Sequence, residues 1–416
     1  MAGRANLRQL TRIAVRNVRG NRRRAVLAGL AVMLGVLAVT TLRGMLNGVQ
    51  TALRSEAIQS QIGALQIHRR GYMAQVFGTP LDLDLPVDAA LLAKIEGVAN
   101  VKAAAPRINF GAMVSTGDTT TFAMITAIDT TREAKVCPSR HERLSEGELV
   151  SHQHPDGLVL SAELARRIGA KRQAGDAGRV AILTNDRDGS LNAVDTQLLG
   201  LNGLPRSPGL ETRLGVMGLD HARELLRMPG RATEIAVAVH DLRQIEETRR
   251  ALQAALGSEF EVSTWPELAR PVADATALQD SILQLITAIL LVVALVGVVN
   301  TMLMSVLERT REIGVMLALG MRTRAIVLLF VLEAAVINVV AAAPGLLLAF
   351  GLLAVLERAD VHFQAPGGGV LHIHPEVLPR DLYVVLTVVV LGALLASIFP
   401  ALRAAKLRPV DALNNA

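Results

Sequence analysis

From Ile282 to Leu307 the chain carries no charged side chain. An uncharged apolar run of about 18 residues or more has one common physical solution, a bilayer-crossing helix that satisfies every backbone N–H and C=O internally. Three further blocks share this character: Ala25–Leu42, Ala325–Leu356 (interrupted only by Glu333) and Leu382–Leu402. At about 1.5 Å per residue, each can cross a hydrocarbon core of about 30 Å. Buried helices of a water-soluble protein would keep a polar face, and these blocks have none. The sequence thus predicts an α-helical membrane protein with four transmembrane helices. The long charged stretch between the first two predicts a large α+β extracytoplasmic domain inserted between helices 1 and 2.

Charge sets the orientation. The pieces 1–24, 308–324 and 403–416 hold 15 Lys/Arg against Glu308, Glu312 and Asp411. The rest, Glu333 apart, holds 28 Lys/Arg and 33 Asp/Glu, so the net charge of +6 is concentrated at one membrane face. Lys and Arg accumulate on cytoplasmic loops, which places both termini in the cytoplasm and explains the basic character without nucleic acid. The expected map is a cytoplasmic amphipathic helix (1–24), a first span (25–43), the outer domain (44–280), a second span (281–307) and a cytoplasmic loop and helix (308–324). A third span (325–356), an outer loop (357–381), a fourth span (382–402) and a cytoplasmic tail (403–416) follow. Leu7, Leu10, Ile13, Ala14 and Val18 recur at helical spacing, and Arg22–Arg24 hold the N-terminus inside. The first span is expected to stay uncleaved rather than to act as a signal peptide.

Within the outer domain, Asn47–Gln59 and Pro266–Gln279 read as helical stalks continuing the first and second spans. A membrane-proximal α/β part (about 60–100 and 232–265) is expected to carry an inserted β-rich part (about 101–231). Helix signals fall at Asp88–Glu96, Ser161–Ile168, Leu219–Met228 and Leu242–Leu256. Strand signals fall at Gly63–His68, through Val101–Ile128, and at Arg179–Thr184, Ala193–Gly200 and Glu234–Val239. The single cysteine, Cys137, cannot form an intramolecular disulfide, so a domain of this size has to stand on its core alone.

Between the second and third spans lies ERTREIGVMLALGMRTRAIVLLFVLEA, Glu308–Ala334. Its charged start, the short helical core Arg311–Leu319 and the terminating Gly320 describe a structured helix at the membrane surface. Such a helix needs something to dock against. Other motifs are sparse. No phosphate-cradling GxxxxGK[ST] loop occurs, and the histidines (His152, His154, His362, His372, His374) lack the carboxylate partners of a metal site, so no metal is expected. Glu333, the one acid inside a span, is expected to pair with Arg311, Arg322 or Arg324. Pro344-Gly345 invites a kink in the third span, and Ala341, Gly345 and Ala349 offer a small-residue face for close helix approach.

The Glu308–Ala334 stretch resembles the loop and third-span start of the FtsX/MacB-like permease superfamily of ABC transporters. FPALRAAKLRPVDAL resembles its C-terminal signature and NVRGNRRRAVLAGLAVMLGV its N-terminal one. The four-span layout matches along essentially the whole chain. Within the superfamily the chain is most similar to lipoprotein-releasing (Lol-type) permeases, through AIDTTREAKVCPSRHERLSEGELV and GLVLSAELARRIGAKRQAGD.

The resemblance implies a non-catalytic permease subunit in a bacterial inner membrane, with a periplasmic outer domain. It implies a separate cytoplasmic ABC ATPase dimer holding ATP-Mg, while this chain binds no cofactor of its own. Glu308, Arg309, Arg311 and Glu312 would orient the short helix in the ATPase groove. Ile313, Met316, Leu317 and Leu319 would supply packing, and Gly314 and Gly320 close approach and termination. Further partners implied are a second permease copy or paralogue, a periplasmic carrier or adaptor, and a membrane lipid or lipoprotein cargo. The spans offer almost no polar lining, which argues against ion or sugar transport and suits a lipidic cargo moved by mechanotransmission. The alternatives are a MacB-like peptide or macrolide efflux permease and a non-transporting FtsX-like signal transducer controlling cell-wall hydrolases. The large outer domain speaks against the transducer. The expectation that only about two dozen residues precede the first span speaks against the fused-ATPase exporter.

Overall fold

Long helices account for the apolar blocks. In a computed structural model that describes residues 11–14, 16, 22–173, 176–203, 214–308, 310–319, 321–359, 362–364 and 370–405, they are Arg22–Ala57, Arg270–Glu308, Thr323–Arg358 and Pro379–Ala405. Among the described residues, the first three meet both the length and the apolarity needed to cross a membrane. The last is a 27-residue helix over the fourth apolar block. The basic segment expected as an amphipathic helix falls largely outside the described residues, as do APGGG at 365–369 and the tail beyond Ala405.

The chain divides into two units. The helical unit comprises Met1–Gln50, Thr276–Val361 and Ile373–Ala416. Its core is made mostly by small and β-branched residues, Val32, Val36 and Val39 of the first helix, Val298 of the second, Ile337 and Ala341 of the third, Val385 and Val389 of the last, with Met302 of the second among them. Side chains of that size let the helices approach closely. Gly345 marks a close approach of the first and third helices, because a Cβ there would sit 2.7 Å from the Met33 carbonyl oxygen. Ala341, Gly345 and Ala349 are all buried, and the third helix is continuous through Pro344.

The other unit, Thr51–Ala275 with His362–His372, is built on a ten-stranded sheet. Four antiparallel strands come first in space: Phe260–Thr264, Leu65–Arg69, Glu234–Val239 and the first half of Val101–Ser115. Side chains alternate between faces along a strand. Ala103, Ala105, Ala236 and Ala238 therefore lie under Val136 and Cys137 on one face. On the other, Leu65, Ile67, Ala104, Ile235 and Val237 join Leu92, Ile95 and Leu252 of helices Ala89–Glu96 and Ile245–Leu256.

The second half of Val101–Ser115 opens a different structure. It pairs with Thr120–Ile128, and the ladder runs on through Leu214–Gly218, Gly157–Ser161, Leu191–Asn202 and Arg179–Asn185. Arg179–Asn185 then pairs back to Val101–Ser115, at Met113↔Leu183, Val114↔Ile182 and Ser115↔Ala181. Those six strands close a ring filled by Ile108, Phe110, Val114, Ile125, Leu158, Leu160, Ile182 and Met217. Closure removes sheet edges that would otherwise be free to pair. The boundary expected at residue 101 instead opens a strand that serves both parts, and the change of sheet occurs at Arg107, the register partner of both Glu234 and Ile128.

Candidate coupling sites

The stretch expected to dock a partner is helical over Thr310–Ala318. Its two sides differ. Ile313 is 1% exposed and clusters with Val306 at the end of the second helix and Ile326 and Phe330 at the start of the third, with Met316, Met321 and Val327 alongside. Gly314 is also buried. The opposite side shows Arg311, Glu312, Val315 and Leu319, the last 83% exposed, with Glu308 exposed just before the helix. Ile313 and Met316, expected to pack against a partner, are thus committed within the chain. Val315 was missed from the sequence, although its spacing of four from Arg311 and Leu319 puts all three on one helical stripe. Arg309, Gly320 and the Leu317 side chain lie outside the described residues. Glu333 is 4% exposed, whereas Arg322 and Arg324 are exposed with Arg311.

A second polar cluster ties the first helix to the segment ahead of the last one. Arg43 donates to the Asp381 carboxylate at 3.0 Å, and Asn47 donates to its other oxygen at 2.7 Å. Asp381 also caps the last helix by accepting from the Leu378 N–H at 3.0 Å. Asn47 donates in addition to the Glu376 carbonyl, and the Glu376 N–H donates to the Gly44 carbonyl. Gly48 permits this contact, because a Cβ there would meet the His374 carbonyl at 2.5 Å. Such a buried pair is held together by geometry and extra hydrogen bonds, and removing one partner strands the other charge.

The third cluster sits where the first long helix ends. That helix finishes in a single π-turn, Ile58–Ile62, a form that frees carbonyls from the regular ladder. Arg140 donates to the Gln61 carbonyl at 2.9 Å, and the Cys137 thiol lies 3.4 Å from the Ile58 carbonyl. Both side chains belong to a buried network. Arg107, 2% exposed, is forked on Glu133 at 2.9 and 2.7 Å, reaches Glu234 at 3.1 Å and contacts Cys137 Sγ at 3.1 Å. Arg140 adds a bond to Glu133 at 2.8 Å. Burial alone would raise the Glu133 carboxyl, but Arg107 and Arg140 outweigh it and hold it below the ordinary value. Burial raises the Cys137 thiol, so it stays protonated despite Arg107. Of the histidines, His152 bonds Thr131 at 2.9 Å, and His362 and His372 are register partners in a hairpin.

Helices long and apolar enough to cross a membrane beside a large unit of mixed strands and helices describe a membrane protein with a sizeable domain inserted between its first two long helices. Comparison with known proteins supplies its family. Residues 25–255 match the MacB-like periplasmic core domain and 285–409 the FtsX-like permease C-terminal region. The chain belongs to this MacB/FtsX family of ABC transporter permeases. It is 31% identical over 204 residues to an uncharacterized ABC transporter permease of Methanocaldococcus jannaschii, covering 48% of this chain and 50% of that one. It is 34% identical over 187 residues to the pyoverdine export ATP-binding/permease protein PvdT of Pseudomonas putida, covering 44% and 27%. It is 25% identical over 386 residues to the macrolide export ATP-binding/permease protein MacB of Brucella melitensis biotype 1, covering 88% and 56%. The chain thus spans about half the length, or less, of these relatives.

Proposed function

We propose that this chain is the non-catalytic membrane subunit of an ABC transporter in a bacterial inner membrane, driven by a separate cytoplasmic ATPase dimer that holds ATP-Mg. The observation that carries the proposal is the two-sided helix Thr310–Ala318. Ile313 and Met316 anchor it to the second and third long helices, and Glu308, Arg311, Glu312, Val315 and Leu319 face outward. A helix seated between its own spans and a partner transmits displacement rather than absorbing it. Arg309, Leu317 and Gly320 complete the seat in this reading. The last helix serves as the fourth span, both termini are cytoplasmic, and a second permease copy or paralogue completes the cargo path.

The cargo in this reading is a lipoprotein or another lipidic molecule drawn from the outer leaflet and passed to a periplasmic carrier. The largely apolar composition of the long helices supports it, since among the described residues they carry few polar side chains. A second reading, efflux of a peptide or macrolide, is favoured by the relatives named for macrolide and pyoverdine export. Co-purification with the ATPase, followed by ATPase assays with lipoprotein or macrolide added, separates the two. Arg311→Ala with Glu312→Ala should abolish cargo stimulation while the protein stays folded. Unchanged stimulation and export in that variant would remove the coupling role. A cell-wall hydrolase as sole partner, with no cargo, would favour an FtsX-like transducer.

A further inference from the structure

A groove of about 390 Å³ runs along the helical unit between the second and last long helices. Its walls are largely apolar, with Leu283, Leu291, Val384 and Val388 on its sides and Gln284 and Thr287 among them. One end carries Arg43, Arg380 and Asp280. The coupling mechanism proposed above does not use this groove.

The charges at that end are incompletely used. Arg43 is 9% exposed and spends one terminal nitrogen on Asp381, while its buried Nε has no hydrogen-bond partner. Leaving a buried cationic donor unmade is costly. Arg380 and Asp280 stand 3.9 Å apart, a loose pair with both side chains about half exposed. Gln50 steadies Asp280 by donating to it at 3.2 Å. The groove therefore offers an anion two guanidinium groups and, beside them, offers a cation one carboxylate. Asp381 already balances Arg43, so the end is close to neutral overall.

We infer that the groove holds a membrane phospholipid whose headgroup joins a phosphate to a primary ammonium, the phosphatidylethanolamine class. The phosphate accepts from the guanidinium groups of Arg43 and Arg380, and the ammonium donates to Asp280. One acyl chain lies along Leu283, Leu291, Val384 and Val388. A purely anionic headgroup satisfies the arginines but leaves Asp280 facing negative charge. A quaternary ammonium has no N–H to donate. The inference rests only on these helices lying in a bilayer, not on the identity of any cargo.

The test is native mass spectrometry of the purified full-length chain, delipidated in detergent and titrated with dioleoyl phosphatidylethanolamine, phosphatidylglycerol or phosphatidylcholine. One phosphatidylethanolamine per chain should bind in preference to the other two. Asp280→Asn should erase the preference over phosphatidylglycerol, and Arg380→Gln should weaken every lipid about tenfold, as loss of a charged hydrogen bond does. Ala288→Trp, which fills the groove without touching the charges, should prevent binding of all three. Equal binding of the three lipids, preference for phosphatidylglycerol, a preference that survives Asp280→Asn, or full binding to Ala288→Trp would each overturn the inference. Any of these leaves the coupling reading intact, since that is judged by the Arg311 and Glu312 variants alone.

Discussion

Arg107 and Glu133 form a forked ion pair, Nε to Oε2 at 2.9 Å and Nη2 to Oε1 at 2.7 Å, at the point where one strand passes from an open sheet into a closed ring. Removing Glu133 takes away the forked partner of a buried guanidinium and leaves Arg107 to Glu234 alone, a loss of up to about 3–5 kcal/mol. Glu133→Gln should therefore lower the unfolding midpoint of the outer unit sharply. Trp265, the single tryptophan, lies in that unit and gives a local fluorescence readout.

The same carboxyl makes stability depend on acid. Its folded value lies below the ordinary value of 4.5, so its contribution is complete above about pH 4.5 and fades as pH falls through the lower folded value. Wild-type midpoints should drop below pH 4.5, and Glu133→Gln should lose that part of the slope.

His68 acts at milder pH. It is stacked on Tyr72 at 4.6 Å. Burial lowers its value below 6.5, outweighing Glu234, the Thr233 carbonyl and Glu261. The unfolded chain then takes up a proton that the folded chain refuses, so stability is full above about pH 6.5 and declines as pH falls below it. His68→Gln should flatten the Trp265 melting midpoints across that upper range while leaving the acid limb due to Glu133.

The short helix Thr310–Ala318 allows a contrast. Ile313→Ala opens a cavity in the cluster with Val306, Ile326 and Phe330 and should cost about 2–5 kcal/mol. Leu319→Ala, at an exposed site, should cost less than about 0.5 kcal/mol yet reduce stimulated ATPase activity in the reconstituted complex. Detergent thermal melts run alongside ATPase assays distinguish the two effects.

For the Arg43–Asp381 clamp, Asp381→Ala should destabilise the helical unit by about 3–5 kcal/mol, because Arg43 is left without its partner. Replacing both residues by Leu should recover part of that loss, measured as monodisperse protein surviving a heat step in size-exclusion chromatography.

Much of the secondary structure was legible beforehand. Helices expected over Asp88–Glu96 and Ser161–Ile168 form there, and the side chains of Ser161 and Asp88 cap them by accepting from Leu164 and Leu91. The apolar blocks announced the long helices because a bilayer-length run has few alternatives. What escaped was non-local. Pairing of Met113 with Leu183 closes the ring, yet no short-range signal marks strands seventy residues apart. Arg107 and Glu133 carry no short-range signal of burial, since burial of either makes sense only once the other is in place. The inward side of the short helix was equally hidden, because Ile313, Val315 and Leu319 are alike in polarity and only the neighbouring spans decide which is covered.

The strand Val101–Ser115 belongs to two hydrogen-bonded systems at once, like a plank nailed into two floors. Flexing it would tear ladder bonds in both, so the outer unit resists being remoulded. A disturbance at either strand system is therefore felt by the other through this one strand.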